Sequence, residues 1–162
     1  MSDLGSQTPY PAGQPAEAEY GTQPVRAGKG SGPRAGFWRR FVAFFVDSMI
    51  LLAGFLVLYA ILDPAIAYVI YILATFIYFA AMEGGASGQT LGKKLLGIRV
   101  IDFRAGGPIG FGRGLLRQIG RILSGFVLYL GYLWMLWDSE KQTWHDKIAT
   151  TVVVPLDAYP VR

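Results

Sequence analysis

The chain has 162 residues, of which 52% are hydrophobic and only 16% are charged. A soluble domain usually carries about a quarter charged residues, so this composition indicates a membrane protein. The net charge of +4 would also suit a nucleic-acid-binding protein, but here the basic residues flank apolar blocks, and we expect no nucleic-acid partner. The sequence contains no cysteine and one histidine, His145, so we expect neither disulfides nor a metal site, and no cofactor.

The first segment, residues 1–33, contains five of the nine prolines and almost no large aliphatic residues. Such a segment cannot bury enough apolar surface to offset its ordering entropy, so we predict a disordered tail. Tyr10 and the prolines around it are interpreted as part of this solvated tail. A proline-rich ligand for the groove of a partner protein is the alternative. Residues 155–162 form a second, short tail.

Two long apolar blocks follow the tail, at residues 41–62 and 65–82. Each is long enough to cross a hydrocarbon core of about 30 Å as a helix. Only Asp63 and Pro64 separate them, and proline disfavours the α conformation in the residue before it. We therefore predict a tight antiparallel transmembrane hairpin, whose first span serves as an uncleaved signal anchor.

Basic residues lie on both flanks of this hairpin. The loop at residues 83–121 contains seven basic residues against two acidic ones, and the N-terminal flank is basic as well. Cytoplasmic flanks of membrane helices carry the excess of Lys and Arg. We therefore expect the N-terminus and this loop in the cytoplasm, and the protein in the plasma (inner) membrane as a multi-pass protein.

A third apolar block, residues 122–137, is shorter and allows two interpretations. It forms one thin span, or it combines with the amphipathic stretch before it into a kinked or re-entrant hairpin. Residues 97–102 and 150–154 are rich in β-branched side chains, which favours strands. If these strands pair, the chain between them starts and ends on the same side of the membrane, which favours the re-entrant interpretation over a span with an external C-terminus.

Asp47 lies inside the first apolar block, where an ionised carboxylate is costly unless it is paired or hydrated. Arg40 lies seven residues earlier on the same helix face, with Ala43 between them and Gly54 further along. The predicted partners of Asp47 are basic residues that recur every four positions, namely Arg113, Arg117 and Arg121. Asp47 then either binds a proton or small cation, or forms a fixed ion pair that sets the helix register.

Two further segments carry charged residues of interest. In residues 88–97, a short interfacial helix is predicted, with Lys93 and Lys94 facing anionic lipid headgroups. In the second segment, residues 144–147, Asp146 follows His145. Adjacent residues on a helix point about 100° apart and therefore make a poor catalytic pair. Asp146 is expected to accept hydrogen bonds from arginine or backbone N–H groups. With no identifiable nucleophile, we predict that the protein is not an enzyme.

Three motifs together resemble the RDD family, which is named for one arginine and two aspartates. They are GFWRRFVAFFVD, GQTLGKKLLGIRVID and QTWHDKIATTVVV, and they lie in this order between residues 36 and 154. The resemblance assigns the family arginine to Arg40 and its aspartates to Asp47 and Asp146. The proline-rich tail is similar to that of actinobacterial members.

The residues predict an all-α polytopic membrane domain over residues 34–154, for which a short two-stranded cytoplasmic pairing is one interpretation. The resemblance implies a polytopic membrane protein of a family whose biochemical role is mostly undefined. We expect a non-catalytic accessory or scaffold component of a membrane complex, docked through the Ala43 and Gly54 face and the basic loop. The alternative is a small oligomeric exchanger of cations for protons that uses Asp47. Either way, the expected partners are anionic lipid headgroups and a homo-oligomer or larger complex.

Overall fold

A computed structural model describes residues 32–127 and 130–160 of the chain, and the structural statements below refer to these residues. The predicted disorder of the tail and the interpretation of Tyr10 concern residues 1–31, which lie outside the described part. Helices account for 63% of the structure, and a small two-stranded sheet completes it. The predicted fold class, a helical hairpin with a bent third segment and a strand pairing, is confirmed.

The hairpin consists of α1 (Phe37–Ile61) and α2 (Pro64–Gly84), both long and apolar enough to cross a membrane. α2 begins with proline in its first turn, where the missing N–H has no partner to lose. The Asp63 side chain caps this helix and accepts a hydrogen bond from the backbone N–H of Ala65 at 2.9 Å. Asp63, the acidic residue of the turn between the predicted spans, is thus the N-cap of α2.

A compact group of short helices and strands covers one end of the hairpin, and we call this group the cap. It contains α3 (Leu91–Leu95), β1 (Ile98–Asp102), a helix at Trp144–Ile148 and β2 (Thr151–Pro155). β1 and β2 are antiparallel, with Val100 opposite Val153, so the segments after α3 and after the helix at Trp144–Ile148 meet in one sheet. All residues of both strands are buried. The polypeptide just before α1 also joins the cap, since the Ala35 N–H donates to the carbonyl of Val153 at 3.0 Å.

The segment between the strands differs from the predicted third span at residues 122–137. A helix, α4 (Gly110–Phe126), begins much earlier, in the part interpreted as an amphipathic stretch. It is followed by α5 (Leu130–Leu133) and a 3₁₀ turn at Trp134–Leu136, which together lie at 112° to α4. The helix at Trp144–Ile148 is α6. The third segment is therefore bent, and its two ends return to the paired strands.

The cap and the hairpin differ in where their apolar side chains lie. In the cap, Ile98, Val100 and Val153 form a buried core together with Ala43 of α1. The most apolar stretches of α1 and α2 are only 11% and 17% buried within the protein. A soluble protein does not expose apolar surface on this scale, whereas a helix in lipid does.

Candidate functional site

Asp47 is fully buried at the point where the hairpin meets the cap. One of its carboxylate oxygens accepts hydrogen bonds from the Tyr78 hydroxyl at 2.7 Å and from the Gly92 backbone N–H at 2.7 Å. The other accepts from the Thr90 hydroxyl at 2.5 Å. We call these four residues the Asp47 clasp. Because all three donors are neutral, the clasp ties α1, α2 and α3 together without a counter-charge.

The clasp explains the residue types at the start of α3. Thr90 is the N-cap of that helix, and its hydroxyl oxygen accepts from the Lys93 N–H while the hydroxyl proton goes to Asp47. Gly92 faces α1 so closely that a Cβ atom there would collide with the carbonyl oxygen of Ala43. A motif of threonine followed two residues later by glycine therefore brings the α3 backbone directly onto the α1 carboxylate.

The predicted pairing of Asp47 with an arginine of α4 is wrong. Arg117 and Arg121 bond to Glu83 and Arg113 pairs with Asp102 at the end of β1. The prediction placed the arginines correctly on one flank of α4 but assigned them to the carboxylate in the middle of α1. The acid at the end of α2, which sequence reasoning did not single out, holds two of them instead.

Glu83 is fully buried in the last turn of α2 and is bonded to three cations. Lys93 donates to one oxygen at 2.6 Å, Arg117 donates to the other at 2.8 Å, and Arg121 bonds the first oxygen as well. A signal for this role was present in the sequence. Glu83 is the acid that directly follows an apolar block and precedes a strongly basic loop. This position predicts a buried ion pair with a basic residue of that loop.

Asp146 is the second buried carboxylate that pairs with several cations. It is fully buried in α6, and Arg40 of α1 donates to it at 2.6 Å, across 106 positions of sequence. Arg117 bonds its other oxygen, so this one guanidinium joins Asp146 to Glu83. We call the connected set the ion-pair network. Its members are Arg40, Glu83, Lys93, Arg117, Arg121 and Asp146.

Local structure fixes both ends of the network. Asp146 also closes a capping box with Thr143, whose backbone N–H donates to the carboxylate at 3.0 Å. Burial alone would raise the pKa of Asp146, but Arg40 and Arg117 outweigh it and hold that pKa far below its usual range. Asp146 is therefore ionised at every physiological pH. Two of the three residues assigned to the family signature, Arg40 and Asp146, are thus bonded to each other, while the third, Asp47, belongs to the separate clasp.

Small residues let α4 approach closely enough for Arg117 to reach both carboxylates. A Cβ atom on Gly114 would collide with the carbonyl of Ala80, and one on Gly84 would lie 2.6 Å from the carbonyl oxygen of Gly110. On the other side of α4, a Cβ atom on Gly120 would lie 2.9 Å from the Cα of His145. Gly114 of α4 thus faces α2 and Gly120 faces α6, and Arg117 bonds to carboxylates of both neighbouring helices.

The prediction that Lys93 faces lipid headgroups is wrong, whereas Lys94 is exposed on the cap. Lys93 is only 6% exposed, and its ammonium lies 5.9 Å from the centre of the Phe79 ring besides bonding Glu83. Burial lowers the pKa of Lys93, and the Glu83 carboxylate opposes that shift. The interfacial-helix interpretation placed both lysines on the outer side, but the Asp47 clasp rotates α3 so that one of them points inward.

His145 lies beside the network and holds no ionic bond in it. Its ring packs against that of Tyr132, with the centroids 5.2 Å apart, and its Nδ1 is buried without a hydrogen-bond partner. Burial lowers the pKa of His145 well below its usual value, and the nearby Arg117 and Arg121 lower it further, although the adjacent Asp146 opposes them. The ring is therefore neutral at pH 7.

The carboxylates of both clusters are thus bonded to the protein's own groups. Within the described residues, no group of three or more His, Asp or Glu side chains has an arrangement that would hold a metal ion. Chemically, the arrangement fixes helices to one another: the clasp joins α1, α2 and α3, and the network joins α1 and α2 to α3, α4 and α6.

Comparison with known proteins gives a family match over most of the chain. The model of the RDD family matches residues 34–150. The chain is 31% identical to the Bacillus subtilis protein YxaI over 147 residues, an alignment that covers 74% of this chain and 96% of that protein. It is 29% identical over 133 residues to YteJ of the same organism, which is described as a membrane protein, and the alignment covers 74% and 80% of the two chains.

Mycobacterial relatives match a shorter part. The chain is 37% identical over 84 residues to a proline-rich antigen homolog of Mycobacterium tuberculosis, which covers 52% of this chain and 35% of that protein. The chain therefore spans about a third of the length of this relative. No solved structure matches the chain.

Proposed function

We propose that this chain, which belongs to the RDD family of membrane proteins, is an accessory or scaffold component of a larger membrane complex and catalyses no reaction of its own. The observation that carries this proposal is the state of the buried acids. Asp47 accepts three hydrogen bonds, and Glu83 and Asp146 are bonded to arginine and lysine. Fully satisfied buried networks make a structure rigid, and they offer no free acid to a substrate.

The proposed orientation places the cap in the cytoplasm, at the plasma membrane. Basic side chains that remain exposed on the cap side support it, because exposed Lys and Arg beside a span are retained on the cytoplasmic side. They are Arg39, Lys94 and Arg104. α1 begins at the cap, so the N-terminus lies on the same side. These side chains are also the proposed contacts for anionic lipid headgroups.

The proposed docking surface is smaller than the sequence suggested. Ala43 is completely buried, because α3 packs over it at Gly92, and it is closed to any partner. Gly54 is exposed, and no atom lies within 4 Å of the place where its Cβ would stand. A small residue on a lipid-facing helix allows another helix to approach closely. We assign this position to a transmembrane helix of the larger complex, and a second copy of the chain is the alternative occupant.

A crosslinking experiment tests the docking surface. A photo-crosslinking residue at position 54 should give one discrete product in native membranes. The matched control is position 56, which lies two residues further along α1 and about 200° around the helix, in an equally apolar environment. Products that are identical from both positions, or the lack of any product from position 54, would contradict the proposal.

The competing function is a cation/proton exchanger, and a flux assay distinguishes it from the scaffold function. The full chain is reconstituted in liposomes, and proton movement driven by a sodium or potassium gradient is measured. The scaffold proposal predicts the same rate as in empty liposomes. Flux in the wild type that is lost in Asp47→Asn and kept in Asp63→Asn would establish the exchanger instead. Asp63 is the matched control, since asparagine caps a helix about as well as aspartate.

A further inference from the structure

The outer face of α4 is a continuous apolar stripe with no protein against it in the described structure. Its members recur at intervals of three or four residues and are all exposed: Phe111, Leu115, Ile119, Ile122 and Phe126. The opposite face of the helix holds the arginines and glycines that pack on α2 and α6. Such a division is typical of a helix with one side in protein and the other in an apolar environment.

The dimensions of the hairpin indicate where that environment begins. α3 rests on α1 at Asp47 and on α2 at Tyr78. Beyond these two residues, α1 continues from Ser48 to Ile61 and α2 runs back from Ile77 to Pro64, so each extends about 21 Å. A hydrocarbon core is about 30 Å thick. The free part of the hairpin is therefore about 9 Å too short to cross the core alone.

The missing length must come from the part of the hairpin that the cap surrounds. The level of Asp47 then lies inside the hydrocarbon region, where its full burial and three hydrogen bonds are required rather than incidental. The same level passes through α4. Gly110 lies against Gly84 and Gly114 against Ala80, so α4 runs antiparallel to the end of α2, from the cap toward the membrane.

A further contact holds α4 against the turn of α2 that Gly114 also meets. The Arg121 guanidinium lies 4.6 Å from the centre of the Phe79 ring, which is adjacent in sequence to Tyr78 of the clasp. Five residues of α4 follow Arg121 and end at Phe126, so about 7 Å of helix continues beyond it, away from the cap. The stripe on α4 is thus continuous with the lipid-facing surface of the hairpin.

The chain then turns back instead of crossing. α5 and the 3₁₀ turn lie at 112° to α4, and Gly131 lies so close to Ser124 that a Cβ atom on the glycine would be 2.6 Å from the Cβ of the serine. Exposed tryptophans at positions 134 and 137 follow, and this residue type favours the membrane interface. Finally, β2 pairs with β1, which requires that the chain return to the side from which α4 started.

We propose that α4 and α5 form a re-entrant element in the cap-side leaflet, with the apolar stripe of α4 against lipid acyl chains and no crossing of the membrane. Lipid acyl chains are the occupant of the stripe, and Arg117 and Arg121 lie on the protein-facing side of α4 with the carboxylates that they bond. This inference is independent of the scaffold proposal, because it concerns the placement of the domain in lipid and would hold equally for an exchanger.

Spin labels test the contact with lipid. Because the sequence has no cysteine, each variant carries a single thiol. Ile119→Cys reports on the stripe, Leu56→Cys on the hairpin, and Ala105→Cys on the turn after β1. In vesicles of phosphatidylglycerol and phosphatidylethanolamine, the label at position 119 should resemble that at position 56. Both should show a several-fold higher ratio of oxygen to nickel-chelate collisions than position 105. A label at position 119 that resembles position 105 would overturn the proposal.

Sidedness tests the return of the chain. Ala105→Cys and Ala158→Cys lie before α4 and after β2, and both positions are exposed. A membrane-impermeant maleimide should label both from the same side of sealed, uniformly oriented vesicles. Labelling from opposite sides would show that α4 and α5 together cross the membrane, and would overturn the re-entrant assignment even if position 119 contacts lipid.

Discussion

Two carboxylates in this molecule are buried to the same extent but are stabilised in different ways. Asp47 is held by two hydroxyls and one backbone N–H, whereas Asp146 is held by two guanidiniums. The donors to Asp47 come from α2, from the N-cap of α3 and from α3 itself. Those to Asp146 are the guanidiniums of Arg40 in α1 and Arg117 in α4, and the backbone N–H of Thr143 adds a third. Neutral donors thus hold Asp47 and join α1, α2 and α3 without a counter-charge, whereas charged partners hold Asp146 and join α6 to α1 and α4.

The largest effect on stability is expected when Arg117 is replaced, because this one cation bonds both Glu83 and Asp146. Arg117→Met leaves Glu83 and Asp146 short of one partner each, and a buried charge without its partner costs about 3–5 kcal/mol. We expect a variant that is strongly destabilised in a denaturant titration in detergent. Arg113→Gln is the matched control, since the Arg113 side chain is 42% exposed and its pair with Asp102 should contribute at most about 1 kcal/mol. Equal losses in the two variants would contradict the assigned roles.

A second test separates α3 from α1 without a change in charge. Gly92→Ala introduces a methyl group against the Ala43 carbonyl and close to the carboxyl carbon of Asp47, which should cost about 1–3 kcal/mol. Gly112→Ala is the opposite case: its Cβ would meet nothing within 4 Å, and alanine is the better helix former by about 0.5–1 kcal/mol. The melting temperatures should therefore shift in opposite directions. A shift of the same sign in both variants would count against the clasp.

A third, smaller effect concerns one donor of the clasp. Tyr78→Phe removes a hydroxyl that donates to Asp47 and accepts from the Leu91 N–H at 3.0 Å. Because Asp47 keeps two other donors, we expect a loss of about 1 kcal/mol in the free energy of unfolding. Tyr71→Phe is the control, since the Tyr71 ring packs against Phe55 in the hairpin, outside the clasp. If both variants unfold at the same midpoint, the hydroxyl of Tyr78 is not a structural donor.

The smallest expected effect is a dependence of the free energy of unfolding on pH. It should come from His145, which lies next to Asp146, and not from the Asp47 clasp. His145 binds a proton less readily in the folded state than in the unfolded state, so its contribution is present above pH of about 6.5 and is lost as the pH falls. Between pH 7 and 5.5, this loss should reach about 1 kcal/mol. His145→Gln, which cannot be protonated, should flatten the profile in this range. An unchanged slope in the variant would exclude His145 as its source.

Much of the fold could be predicted from sequence, because hairpin, strands and bent segment each depend on patterns of neighbouring residues. The apolar blocks around Asp63 and Pro64 specify the hairpin, and the β-branched runs specify the strands. The carboxylate partners could not be predicted in this way. Arg117 lies at the spacing expected for a partner of Asp47, but the choice between Asp47 and Glu83 depends on how deep α4 descends along α2. That depth is set by the close contacts of Gly84 and Gly114, which are visible only in three dimensions.

The ion pair between Arg40 and Asp146 also has a consequence for the order in which the protein is made. At about 5–20 residues per second, a ribosome synthesises Asp146 about 5–20 s after Arg40. Glu83, by contrast, waits only about 0.5–2 s for Lys93. During the whole time in which the hairpin enters the membrane, Arg40 is thus still an unpaired positive charge. It can act first as a signal that keeps the N-terminus on its side of the bilayer, and it becomes a structural residue only when the end of the chain arrives.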